Sequence, residues 1–235
     1  MARVTKKAEV RREELLDVAF DLCRSHGFEA MSVEQVTRTA GVAKGTFYHY
    51  FASKDALLEQ LVRRLGDGLF DHLCLAASGV QGSGAERLRA LMDAAGGYKL
   101  TQPDLAYASF LYSDENRDLR HRLFDAWRKR ARQLLLPEIV QGAADGSLAV
   151  ADAEGAADIV LLLWFDAADQ LWERALAVRD RDRFIHVMVS GASTIYQAQE
   201  RILGVPAGTF VATSPRPEHL DLVGQLYDSL DRSER

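Results

Sequence analysis

Along most of the chain apolar residues recur at spacings of three and four, the period of an amphipathic helix. Between residues 10 and 23, Leu15, Val18, Ala19, Leu22 and Cys23 fall on one face, which predicts a first helix that follows a basic arm and ends near Gly27. Ser32 with Gln35 three residues on is a capping-box pair. A second helix therefore opens at Ser32 and runs only to Ala40, where Gly41 supplies the left-handed residue of a tight turn. A third short helix is predicted over 44–50. Ser53 then caps a long helix that carries Leu57, Leu58, Leu61, Val62, Leu65, Leu69 and Leu73 on its apolar face.

Strand-like alternation of useful length occurs nowhere, so the predicted fold class is all-α. GVQGSG, starting at Gly79, reads as a connector. Further helices are predicted over 85–98, 103–113, 115–141 with a proline disturbance at 137, 152–178 and 182–203. A Pro/Gly/Ser/Thr loop over 204–217 precedes a last amphipathic helix over 218–230. Two domains are expected, a three-helix helix-turn-helix unit at 1–55 and a larger helical unit at 56–235.

Composition adds little to this until its distribution is considered. The 235 residues are 48% hydrophobic and 27% charged, ordinary for a globular protein with a real core. The longest apolar run, Ile159 to Phe165, is too short to span a bilayer, and no apolar signal segment opens the chain, so a cytoplasmic protein without a membrane partner is expected. Cys23 and Cys74 both lie in helical periodicity and read as reduced, buried thiols. No Cys/His spacing suits a metal, and neither metal nor cofactor is expected. The net charge of -5 argues against a nucleic-acid partner only in the mean. Residues 1–54 hold nine Lys and Arg against seven acids, so the front is mildly basic and the rear acidic, as though two tasks were divided between them.

Two short helices joined by a glycine turn, behind a longer amphipathic helix, form an arrangement whose second short helix can enter a DNA major groove. Helices so short need packing on the first, expected through Leu15, Ala19, Val33, Val36, Ala40, Val42, Phe47 and Phe51. That leaves Lys44, Thr46, Tyr48, His49 and Tyr50 outward, residue types that bond phosphates, pack on sugars or reach base edges. Gly45 lets the backbone come close to a partner. Ser32, Arg38 and Lys54 flank this face as phosphate contacts.

The run SVEQVTRTAGVAKGTFYHYFASKDALL, residues 32–58, closely resembles the DNA-binding signature of the TetR/AcrR family of bacterial transcriptional regulators. The likeness is strong over about residues 8–60. Beyond it, IVQGAADGSLAVADAEGAADIV resembles the family's usual junction between its seventh and eighth helices. The resemblance implies that Lys44, Gly45, Thr46, Tyr48, His49, Tyr50 and Lys54 contact double-stranded operator DNA, and that Ser32 and Arg38 meet phosphates. Two positions depart from the pattern. Thr37 stands where the family usually has Ala, and Ala43 where Ser commonly caps the recognition helix, at a cost of about 1 kcal/mol.

For the rear domain the resemblance implies a small-molecule effector pocket and dimerisation through the last two helices of the family fold. The expected pocket residues are Phe70, Met92, Phe110, Phe124, Trp127, Trp164 and Trp172, which suit an apolar or aromatic effector. Asp166, Asp169 and Glu173, like Arg117, Arg120, Arg128, Arg130 and Arg132, read as solvated faces; an acid entering the pocket would select a cation. Ser190, Gly191, Ser193 and Thr194 lie inside a helix where glycine is unfavourable, and close approach across the two-fold axis of a homodimer would compensate.

The function expected is that of an effector-released repressor, with an activator or constitutive DNA binder as the alternative. An all-α enzyme would need a catalytic arrangement such as HExxH, ExxH or SxxK, and the sequence contains none.

Overall fold

The computed structural model describes residues 2–101, 112, 116–210 and 217–233. All regular elements among them are helical: α1 Ala2–His26, α2 Val33–Thr39, α3 Lys44–Tyr50, α4 Lys54–Ser78, α5 Gly84–Thr101, α6 Arg117–Asp145, α7 Ala153–Leu162, α8 Ala168–Leu176, α9 Arg181–Leu203 and α10 Pro217–Ser233. The helix predicted over 103–113 lies, residue 112 apart, outside the described residues. No helix among the described residues is long and apolar enough to cross a membrane.

The chain divides into two compact units, Met1–Asp67 with Phe110–Leu123, and Gly68–Ser109 with Phe124–Arg235. The front unit thus runs past residue 55 and takes in a segment from much later in the chain. Its core contains Leu15, Ala19, Val36, Phe47, Phe51, Leu57, Leu58 and Leu61, all nearly inaccessible. Val33, Ala40 and Val42 are half-buried. The capping box at α2 is complete, because Ser32 Oγ accepts from Gln35 N–H at 3.2 Å while Gln35 Oε1 accepts from Ser32 N–H at 2.8 Å. Gly41 ends that helix at φ +65°, and Ser53 Oγ accepts from Ala56 N–H at 3.0 Å to open α4. The later segment is pinned by buried Asn116, whose Oδ1 accepts from Phe28 N–H at 3.0 Å and whose amide donates to the Cys23 carbonyl at 3.5 Å.

In the second unit, α5 starts against the end of α6. The Asp145 carboxylate accepts from Gly84 N–H at 2.8 Å, and Ser147 Oγ accepts from Ala85 N–H at 3.1 Å, so two amides of the helix start that have no acceptor within the helix find partners. The approach requires glycine: a Cβ at Gly84 would lie 2.2 Å from the backbone nitrogen of Gly142. α6 continues through Pro137 to Asp145 without a break in its helical assignment. Beyond α9, the buried Glu200 carboxylate accepts from Gly208 N–H at 3.1 Å and Phe210 N–H at 2.9 Å, shaping the loop after Gly204.

Several sequence expectations are corrected. The segment read as a basic arm is helical from Ala2. The single helix expected over 152–178 is interrupted by a π-helical turn at Leu163–Ala167. Cys23 is buried, its thiol pushed up to about 12 by desolvation, but Cys74 is exposed because the outer side of α4 there faces solvent, as Leu75 also does. Arg120 is buried rather than solvated, with its guanidinium over the Tyr112 ring at 5.3 Å.

Candidate nucleic-acid interface and effector site

Helix α3 has one fully buried residue, Phe47, which touches Phe51 at 5.5 Å and Tyr48 edge-on at 5.4 Å. That anchor sets the rotation of the helix. Lys44, Gly45, Tyr48 and His49 are consequently exposed, and Thr46 and Tyr50 half-buried. His49 and Tyr50 stand edge to face at 4.9 Å. A large aromatic such as Tyr48 left 51% exposed on a short basic helix fits a surface that meets sugar and phosphate. Gly45 has open space where a Cβ would stand, so nothing within the chain requires glycine there.

The flanking residues differ in how far they are committed. Arg38 is exposed near the end of α2. Lys44 Nζ lies 3.3 Å from Glu34, an exposed pair that a phosphate could displace at little cost. Lys54 Nζ donates to the Glu29 carbonyl at 3.1 Å and lies 4.3 Å from the Phe28 ring centroid, which holds its stem while leaving further N–H donors. Ser32 is spent on its capping box. Thr37 is buried and returns its hydroxyl to the Glu34 carbonyl at 3.1 Å, which satisfies the extra polar group. Ala43 provides no side-chain cap to α3.

In the rear unit Phe70, Met92, Phe124, Trp127 and Trp172 are buried and Trp164 is half-buried; Phe110 lies outside the described residues. Phe124 and Trp127 are neighbours, with centroids 6.3 Å apart, and Phe165 joins them edge-on to Phe124 at 5.4 Å. Phe165 was not singled out for this site, since the π turn that places it carries no sequence signal. Arg130 stacks on Phe70 at 4.3 Å, and Arg128 lies over Phe165 at 5.6 Å while its Nη2 meets Asp166 at 2.9 Å. Each of these two arginines therefore covers an aromatic ring rather than lying in a solvated stripe, and Arg128 joins the cluster of Phe124, Trp127 and Phe165. Arg132 instead pairs with Asp158 at 2.9 Å and Glu154 at 3.4 Å.

Of the small residues on α9, Ser190 and Thr194 are exposed and Ser193 half-buried. Ser190 and Ser193 line a groove of about 500 Å³ with Asp182, Ile185, His186, Val189 and Leu220. Gly191 has another reason for its identity. A Cβ there would come within 2.2 Å of Leu171 Cδ1, so the missing side chain makes room for α8 of the same chain. Ile159 and Leu162, 45% and 49% exposed on α7, are apolar positions that sequence reasoning missed, because burial on the other side of the helix masks them in a continuous apolar run.

Residues 15–61 match the profile of the bacterial regulatory proteins of the tetR family. The HTH-type transcriptional repressor KstR2 of Rhodococcus jostii is 29% identical over 143 residues, which are 58% of this chain and 67% of that one. The HTH-type transcriptional regulator BetI of Escherichia coli is 29% identical over 55% of this chain and 68% of its own. Among solved structures, a chain of Shewanella sp. PV-4 assigned to the tetR family of transcription regulators superposes with a TM-score of 0.54 at 25% identity, covering 80% of this chain and 97% of that one.

Proposed function

The chain belongs to the tetR family of bacterial regulatory proteins through the domain at residues 15–61, and on that premise we propose that it is a homodimeric repressor released from its operator by a small-molecule effector bound in the rear unit. DNA binding is the task of the front unit. The observation that carries the reading is α3, a seven-residue helix anchored by Phe47 alone, with Lys44, Gly45, Tyr48 and His49 turned outward. Ser32, Arg38, Thr46, Tyr50 and Lys54 are the flanking contacts in this reading, with Ser32 offering the start of α2 rather than its committed hydroxyl.

Two recognition helices, one from each protomer, would read half-sites about 34–36 Å apart, which makes a near-palindromic operator the natural target. The exposed Ile159 and Leu162 and the groove lined by Ile185, Val189, Ser190 and Ser193 support placing the dimer contact on α7 and α9. The buried aromatics of the rear unit support an apolar or aromatic effector. An effector acts only through its differential affinity for the DNA-competent and DNA-incompetent states, and about 1–3 kcal/mol of preference changes operator affinity roughly 5- to 150-fold.

Selection of bound duplexes from a random pool, followed by anisotropy titration of the selected site, tests the reading. A near-palindrome bound more than about a thousandfold above random duplex is the expected result. Binding that never exceeds random duplex would refute it. Transcription from a promoter bearing that site, with and without effector, separates repression from activation.

A further inference from the structure

Two donors in the rear unit are buried with no acceptor among the described residues, the indole N–H of Trp127 and the Nε–H of Arg128. Folded proteins leave few such groups, because each loses its water without a bond in return. Both belong to one run of aromatic contacts, in which Trp127 adjoins Phe124, Phe124 meets Phe165 edge-on, and the Arg128 guanidinium covers Phe165. A second observation concerns the backbone. Leu163–Ala167, which carries Phe165, is a π-helical turn with neither proline nor glycine to force it. Single π turns are rare and concentrate at functional sites; the added residue re-aims the side chains that follow by about 100°.

We propose that the effector of the rear unit is an apolar carboxylate, whose oxygens accept from Trp127 Nε1 and Arg128 Nε and whose body lies against Phe124 and Phe165. This rests on the reading that the rear unit binds an effector and names that effector's class. The sign of the charge follows from what is unpaired. Both orphaned groups are donors, and the guanidinium is permanently positive. Asp166, which would select a cation if free, is held by Arg128 Nη2 at 2.9 Å. The Phe165 face that could hold a cation already carries Arg128. A cationic effector would meet an occupied ring and an acid already paired, and would leave both orphaned donors without an acceptor.

The test uses the full chain with matched carboxylates, amides and amines on three bodies: phenylpropanoate, naphthylacetate and decanoate, with the corresponding amide and amine of each. Calorimetry reads binding, and anisotropy of the selected operator reads release. At least one carboxylate is expected to bind about tenfold or more tighter than its amide, with the amine weakest. Trp127→Phe keeps the ring and removes the donor. It is expected to weaken that carboxylate about tenfold while the melting temperature of the free protein holds or rises, because an unsatisfied group has been removed. Arg128→Gln should weaken it as well. An amine that binds as tightly as its carboxylate, no carboxylate binding at millimolar concentration, or Trp127→Phe at full carboxylate affinity would each overturn the proposal. An amine that releases the operator would remove the carboxylate class and leave effector control standing. A carboxylate that binds through Trp127 without altering operator affinity would keep the site and remove its regulatory role.

Discussion

Gly45 separates the needs of the fold from those of a partner. Glycine inside a helix costs about 1 kcal/mol relative to alanine, and the space where its Cβ would stand is open. Gly45→Ala is therefore expected to raise stability to chemical denaturation by up to about 1 kcal/mol and to weaken operator binding, since the added methyl would stand on the face proposed to meet DNA. Unchanged affinity in a titration would move the DNA contact away from this residue. Lys54 tests the same face through charge. Lys54→Met preserves much of the stem against Phe28 but removes one cation from a phosphate, so the slope of log affinity against log salt should fall by roughly one. A slope equal to that of the unaltered protein would confine Lys54 to its Glu29 and Phe28 contacts. Local structure was legible in the sequence wherever short spacing decides it, as in the Ser32–Gln35 box. The exposure of Cys74 was not, because an isolated helix face does not say how wide its buried stripe will be.

At the scale of elements, the helices were legible from periodicity and caps, and their irregularities were not. α1 begins at Ala2 although its first turns carry no apolar face, and the π turn at Leu163–Ala167 interrupts a run that reads as uniform helix. Periodicity reports only an apolar face, so a helical stretch that lacks one and a single-residue bulge inside one both leave no mark in it. The start of α5 depends on a residue far away in sequence. Asp145 accepts from Gly84 and Ser147, and these hydrogen bonds, led by that of the Ser147 side chain, hold its carboxyl down at about 2. A carboxyl lowered from an ordinary 3.8 stabilises the folded state above that value, and the contribution disappears as pH falls through about 2. Urea midpoints measured from pH 5 down to about 2 should fall less steeply for Asp145→Asn than for the unaltered protein. Parallel slopes in the two titrations would show that the joint of α5 and α6 gains nothing from the charge.

For the whole molecule, chain order concealed two relations within the units. Phe110–Leu123 belongs to the front unit although the rear unit surrounds it in sequence, and buried Asn116 ties it to the end of α1 through contacts 88 and 93 residues apart. No spacing rule reaches that far. Gly191 was read as a sign of contact between protomers, yet the space it leaves is filled by Leu171 of its own chain, so a bulky residue there would disrupt the protomer and report nothing on assembly. Ile159 and Leu162 offer a cleaner test because both are about half exposed and their outward sides have room. Two apolar side chains that leave water at a two-fold contact contribute twice over, once from each protomer. Replacing both by Glu puts four charges at that contact and leaves the interior of each protomer unchanged. Light scattering should then give the mass of a single chain, with the helical circular dichroism of the unaltered protein retained. Operator affinity should fall steeply, since a lone recognition helix reads one half-site, while the weak affinity for random duplex should persist. A dimer of normal mass in the doubly substituted protein would rule out α7 as the contact and leave the α9 groove to be tested by Val189→Glu.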